Sequence, residues 1–264
     1  MSDEIIKIIV CSIAGLGAGV GTGFSGMSAA AVISPMLITL LNMSHYDAVG
    51  IALASDVLAS AVSAILYGKN KNIDINNGII MMISVLIFTF VGSWVGQFVH
   101  DVAMSGFSLV FIIILGIKFF VKPIKKDSAI IEEGLKMSFA LRSLVCGAIV
   151  GFICGFIGAG GGMMMLFVLT SLLGYELKTA VGTSVFIMTF SALTGSISHF
   201  GIAGDPDWIC LVTCVISTFI FAVLSARVAN KSKPETLNKV VGVVLIIIGV
   251  VLISIEGLRY FNFI

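Results

Sequence analysis

The chain has 264 residues, 58% hydrophobic and 11% charged, with 29 glycines and a formal net charge of +1. A soluble domain usually carries about a quarter charged residues and a little under half apolar ones. The composition therefore excludes a disulfide scaffold, a disordered tail, a nucleic-acid binder and an ordinary cytosolic enzyme, and leaves a polytopic, all-α membrane protein.

A helix that crosses the hydrocarbon core needs about 20 apolar residues. Apolar runs fall near 5–24, 26–42, 46–67, 77–97, 103–121, 137–157, 161–173, 177–199, 207–229 and 236–257. They are continuous rather than alternating, which excludes an outer-membrane barrel. The polar stretch 122–136 divides the chain into a first membrane repeat (1–121), a cytoplasmic linker (122–136) and a second membrane repeat (137–264). The run 161–173 is short: as helix it would measure roughly 20 Å against a core of about 30 Å. It reads as part of a broken or re-entrant hairpin, so the expectation is about 8–10 transmembrane segments.

If each run changes sides, Lys69, Lys71, Lys118, Lys122, Lys125, Lys126, Lys136, Arg142, Lys178, Arg227, Lys231, Lys233 and Lys239 share one face. The positive-inside rule makes that face cytoplasmic and puts both termini outside. Asp101, Asp205 and Asp207 then lie in outer loops.

Ala48-Val49-Gly50 and Ala180-Val181-Gly182 set an offset of 132. Without gaps, the same offset pairs Gly15, Gly19 and Gly23 with Gly147, Gly151 and Gly155, Phe24 with Phe156, and Gly26 with Gly158. An odd number of runs separates corresponding points, so the copies should be inverted across the membrane. Inverted repeats with broken helices meeting near the midplane recur in secondary transporters.

The glycines four apart are a packing device that lets helix backbones approach in lipid. The tract Gly158-Ala159-Gly160-Gly161-Gly162 is different, because consecutive glycines are poor helix formers and free peptide groups are untenable against lipid. A break there, ahead of the short run, offers N–H groups to an anion; the plainer alternative is a tight turn between helices. Gly182-Thr183-Ser184 follows, with Ser191, Thr194, Ser196 and Ser198 further along. These hydroxyls either donate to an oxyanion or bond back to the preceding turn. Asp56 is the only carboxylate in mid-run, with Ser55 beside it. Intramembrane carboxylates are costly and usually functional, and Asp56 is the candidate proton site. The alternative for Asp56 is a hydrogen-bonded packing residue.

Cys210 and Cys214 lie one turn apart without histidine or carboxylate beside them in the run and read as small packing residues. No metal and no cofactor is expected. Gly21-Thr22-Gly23-Phe24-Ser25-Gly26 fits a dinucleotide glycine pattern, but no strand precedes it. The Gly23–Gly26 stretch also fits the motif of rhomboid-type proteases, which makes an intramembrane serine hydrolase using Ser25, with His199 as base, the alternative function. At the offset of 132 the glycines recur while Ser25 meets Ile157, so the serine reads as incidental.

The stretch from Gly151 to Gly162, then Ala180-Val181-Gly182-Thr183-Ser184, then Ser191-Ala192-Leu193-Thr194-Gly195 and His199, resembles the TauE/SafE sulfite exporter family (DUF81 transporters). The resemblance covers essentially the whole chain and is more specific in the second half. It implies a transporter of the cell (inner or plasma) membrane, not an enzyme, exporting small anions such as sulfite, organosulfonates or short carboxylates. Gly160, Gly161, Gly162, Thr183 and Ser184 match its signature positions. The first half departs from the pattern with Met27-Ser28-Ala29-Ala30 and Gly50-Ile51-Ala52, although Pro35 is present. Ser28 and Ser55 complete the candidate anion donors. The expected partners are a small anion, the lipid bilayer and a coupling proton, with no nucleic acid; self-association as a homo-oligomer is compatible with the sequence.

Overall fold

The computed structural model describes residues 2–96, 138–157, 161–203 and 205–233, Ile117, and single positions between 236 and 257. The expected run 103–121, apart from Ile117, and the linker 122–136 lie outside the described residues. Every regular element among the described residues is helical: α1 (Ser2–Ser25), α2 (Ala30–Leu41), α3 (His45–Lys69), α4 (Ile75–Gly96), α5 (Phe139–Ile157), α6 (Gly161–Phe167), α7 (Leu177–Ala203) and α8 (Trp208–Lys231). A π-helical turn, Val168–Leu172, prolongs α6. Among the described residues, four helices are long and apolar enough to cross a membrane, over Asp3–Ser25, Asp47–Lys69, Leu177–Ile197 and Trp208–Lys231. Shorter apolar helices cover Ile75–Val91 and Ala140–Phe152.

Side-chain size decides which helix face turns inward. On α8, Cys210, Cys214, Thr218, Ala222 and Ala226 are buried, while Val212, Ile216, Ile220, Leu224 and Val228 are exposed. Both stripes repeat every four residues, so small side chains form one face and bulky apolar ones another. In lipid, small faces let helices close up, and the branched faces lose nothing by staying outside. On α1, Gly15, Gly19 and Gly23 lie directly against Ser217, Thr218, Ala222 and Ala226 of α8. On α5, Gly147 and Gly151 lie in the same way against Met81, Ser84 and Val85 of α4. The cysteines Cys11, Cys210 and Cys214 are buried at the α1–α8 contact as free thiols.

The element boundaries repeat at the offset found in the sequence. α3 begins at His45 and α7 at Leu177, 132 residues apart. Asn42 and Gly174, also 132 apart, both end a short helix in the left-handed conformation. Met43 N–H donates to the Leu37 carbonyl at 3.3 Å, and Tyr175 N–H to the Leu169 carbonyl at 2.9 Å, again 132 apart. The Ser217 hydroxyl donates to the Ser12 carbonyl at 2.8 Å and that of Ser84 to the Leu144 carbonyl at 2.7 Å. α1 thus packs on α8 as α5 packs on α4, and α3 crosses α7 between them.

Two ends of the bundle are defined by polar contacts. At one, Lys7 of α1 pairs with Asp207 ahead of α8 at 2.5 Å, beside a cavity of about 270 Å³ lined by Leu41, Met43, Ser44, Asp47 and Asp205. At the other, the Asn72 amide donates to the Asn230 side chain at 3.0 Å, and Lys178 donates to the Asn230 carbonyl at 2.8 Å. Lys69, Lys71, Lys178 and Lys231 therefore share an end. Leu41, the last residue of α2, lines the cavity at the Lys7 end, whereas the chain after α6 leads to Tyr175, bonded to Asp74 beside Thr183 on the Lys178 side.

Candidate functional site

The apolar run 26–42 does not form one helix. Gly26 takes a left-handed φ of +64°, which ends α1, and α2 starts only at Ala30. The four residues between are buried: Met27 and Ser28 are 1% and 3% exposed. Buried backbone outside a helix is tolerated within a membrane only where protein or a cavity covers it. Here the second half covers it. A methyl group on Gly162 would lie 2.6 Å from the Gly26 carbonyl oxygen and from the Ser28 nitrogen, so only a glycine allows this approach. Ser184 of α7 fixes it from the side, donating to the Gly26 carbonyl at 2.9 Å and lying 3.4 Å from the Gly162 carbonyl. The first turn of α6 thus rests on the interruption between α1 and α2.

Asp56 of α3 reaches the same place. It is fully buried, and its Oδ2 accepts the Ser28 hydroxyl at 2.7 Å. The Ala29 N–H is directed at the same carboxylate, whereas Oδ1 has no partner among the described residues. The Ser28 oxygen in turn accepts the Ala30 N–H at 3.3 Å, and the Ser28 carbonyl accepts that of Ala31 at 3.2 Å. The start of α2 is thus organised around Ser28.

The other expected donors stand elsewhere. Ser55 is buried but donates to the Ile51 carbonyl one turn back, at 2.8 Å. Thr183 accepts the Asp74 N–H at 3.1 Å and so holds the α3–α4 connection at the Lys178 end. Ser191, Thr194 and Ser196 all bond back within α7. Gly161 opens α6 and Gly162 follows it, while Gly160 and the His199 side chain lie outside the described residues. Ser25 donates to the Gly21 carbonyl at 2.6 Å, the hydrogen bond of a helix-packing serine. Sequence reasoning did not single out the Gly26 carbonyl, although its recurrence at Gly158 was the signal available.

The site is bounded on the Lys178 side by a second polar cluster that the sequence did not reveal. The Tyr175 hydroxyl donates to Asp74 Oδ2 at 2.7 Å, and the Asn77 side chain donates to the same oxygen at 2.7 Å. Burial pushes the Asp74 carboxyl up, but the bonds from Asn77, Tyr175 and the Asn76 and Asn77 amides outweigh it and hold the group below the usual carboxylate range. Burial and the bond to Asp74 both push the Tyr175 phenol up. At the far end, burial also raises Asp207, yet Lys7 and the N–H groups of Cys210 and Ile209 bring it below its ordinary value.

The family model for sulfite exporter TauE/SafE matches residues 11–252. Among similar proteins, "Probable membrane transporter protein YunE" of Bacillus subtilis is 28% identical over 273 residues, covering 96% of this chain and 99% of that one. "Probable membrane transporter protein YdhB" of the same organism is 23% identical, covering 89% and 96%. "Probable membrane transporter protein MJ0441" of Methanocaldococcus jannaschii is 28% identical, covering 74% and 70%. No solved structure matches significantly. A match over nearly the whole chain, on an all-helical fold with several membrane-length helices, establishes that this protein is a membrane transporter, not an enzyme, and belongs to the sulfite exporter TauE/SafE family.

Proposed function

We propose that the protein exports a small oxyanion, of the class of sulfite, an organosulfonate or a short carboxylate, bound where the interruptions of two inverted halves meet. The observation that carries this reading is the approach of Gly162 to Gly26 and Ser28, bridged by Ser184. α2 and α6 leave that point in opposite directions, as inverted copies would. Bare peptide groups and hydroxyls are the donors that a negatively charged oxygen recognises, and they carry no charge that would trap it. Gly160, Gly161, Gly162, Ser184 and Ser28 are the proposed contacts. Ser55 and Thr183 would join them only by exchanging their present hydrogen bonds. Asp56 is the proposed proton-coupling residue.

The clustering of Lys69, Lys71, Lys178 and Lys231 supports a cytoplasmic position for that end and an outer position for the termini in a cell membrane. An inside-negative potential favours outward movement only of an anion that crosses without a proton, by about 2.3 kcal/mol per charge per 100 mV. The test is flux of sulfite, methanesulfonate, sulfoacetate and acetate through the purified protein in liposomes, with and without a pH gradient. Saturable flux of at least one, lost in Gly162→Val, is the expected result. Absence of flux for all four would remove the reading.

A further inference from the structure

The Asp56 carboxylate stands where an anion held by the start of α2 would stand. It takes the Ser28 hydroxyl at 2.7 Å and faces the Ala29 N–H, at the N-cap position of a 12-residue helix. That end of a helix carries partial positive charge and attracts anions. Two observations distinguish this from an ordinary cap. The carboxylate arrives from α3, 28 residues along the chain, although the α2 amides of Ala30 and Ala31 are already served by Ser28 itself. Its second oxygen, Oδ1, is fully buried with no partner among the described residues. The group is held by one side and bare on the other.

No cation balances it among the described residues. α3 packs against α1, α2, α7 and α8. α2 carries no titratable side chain. Asp3, Glu4, Lys7 and Cys11 of α1 lie toward the end where Lys7 pairs with Asp207. On α7, Lys178 is bonded to the Asn230 carbonyl, and the His199 side chain lies outside the described residues. α8 contributes Cys210, Cys214, Arg227 and Lys231, of which the cysteines face Cys11 and the basic residues are exposed. On α3 itself, the His45 and Tyr46 side chains at its start lie outside the described residues, Asp47 and Lys69 are terminal, and Tyr67 donates to the Gly23 carbonyl at 3.0 Å. None of these is hydrogen-bonded or paired to Asp56.

We propose that ionised Asp56 and the transported anion compete for the Ser28 and Ala29 donors, so that each anion is carried together with one proton, which resides on Asp56. This rests on the reading above that the centre binds an anion. When Asp56 takes a proton from water, its carboxylate becomes a neutral acid, and the Ser28 hydroxyl and Ala29 amide are released to the incoming oxyanion. When it is ionised, the same donors are occupied and the anion meets a like charge. Two unit charges about 4 Å apart at an effective dielectric of about 20 repel enough to lower affinity about a thousandfold. For a monoanion, the loaded centre gains no net charge, so its movement is electroneutral. A plain uniporter would instead respond to the membrane potential.

Methanesulfonate tests this cleanly, because its sulfonate does not titrate and any pH dependence belongs to the protein. In liposomes holding the full chain, methanesulfonate efflux should alkalinise the lumen by one proton per anion. A potential of about 100 mV set with potassium and valinomycin should leave the rate unchanged. The dissociation constant should rise about tenfold per pH unit once Asp56 is ionised. Asp56→Asn keeps an acceptor for Ser28 without the charge; binding should become independent of pH, and flux should lose its proton and become potential-driven. Ser28→Ala should weaken binding while keeping the proton linkage. Wild-type flux that carries net charge and no proton would overturn the proposal even if Asp56→Asn failed to fold, as would proton movement that persists in that variant. If methanesulfonate moves without protons, only the coupling is refuted. If neither it nor sulfite, sulfoacetate or acetate moves, the anion reading falls as well.

Discussion

The hydroxyl of Tyr175 donates to the Asp74 carboxylate at 2.7 Å, tying the end of the second half's short helix to the connection between α3 and α4 of the first. This bond lies on the Lys178 side of the centre, beside the Thr183 oxygen that accepts the Asp74 N–H. Separation of the two segments at that end would break it.

Tyr175→Phe removes the hydroxyl and leaves the ring. A hydrogen bond to a charged group contributes about 1.5–3 kcal/mol when buried, and less at a partly exposed pair such as this one. The expected outcome is a lower melting temperature and faster amide hydrogen exchange over residues 70–74. Exchange unchanged from the wild type would show that the bond does not hold this end closed.

Gly19 and Gly17 sit on one helix with opposite expectations. A methyl group on Gly19 would lie 2.5 Å from the Thr218 carbonyl oxygen and 2.9 Å from the Ala222 nitrogen, both rigid backbone. Gly19→Ala should destabilise by about 1–3 kcal/mol through forced separation of α1 and α8. At Gly17 the nearest atom is a Val32 methyl at 3.4 Å, so Gly17→Ala should be neutral or gain up to about 1 kcal/mol of helix propensity. Unfolding of the two variants in detergent compares them directly; equal losses would contradict the packing described.

Ser184→Ala removes a bridge between the halves. Interhelical hydrogen bonds in membranes average about 0.6 kcal/mol and reach about 1.7. Stability should fall by that order, with a several-fold loss of anion affinity measured by flux. Ser25→Ala should leave flux untouched, since Ser25 only bonds back to Gly21. A Ser25→Ala protein that folds normally but loses activity would reverse the roles assigned to these serines.

Asp207 caps α8 through the Ile209 and Cys210 amides, both at 3.1 Å, and pairs with Lys7. Its folded value lies below its ordinary one, so its contribution to stability is present above the unfolded value of about 3.9 and is lost as pH falls through the folded value. Melting temperature should therefore drop in acid below about pH 4. In Asp207→Asn, which keeps the cap and loses the charge, that drop should be shallower. Parallel pH curves for the two proteins would remove Asp207 from the acid response.

The glycine register was legible because it is a backbone requirement. Gly15, Gly19, Gly147 and Gly151 mark the two helix contacts that their spacing announced. The short second-half run was legible from length alone, and it ends in the π turn Val168–Leu172. The hydroxyls were not. Thr183 and Ser184 are neighbours in sequence, yet one serves Asp74 and the other the Gly26 carbonyl, because consecutive residues on a helix point about 100° apart. Ser55, adjacent to Asp56, turns away for the same reason and bonds to Ile51.

Composition and periodicity determined by themselves that this chain lies in a membrane as helices, and they placed a repeat offset of 132 that several described helix boundaries share. These follow from local requirements: apolar length, glycine at left-handed or crowded positions, and small residues on one face. Tertiary structure alone decided that Gly162 rests on Gly26 and that Asp56 reaches Ser28. Those encounters join elements far apart in the chain, and no local pattern encodes which distant donor a buried carboxylate will find.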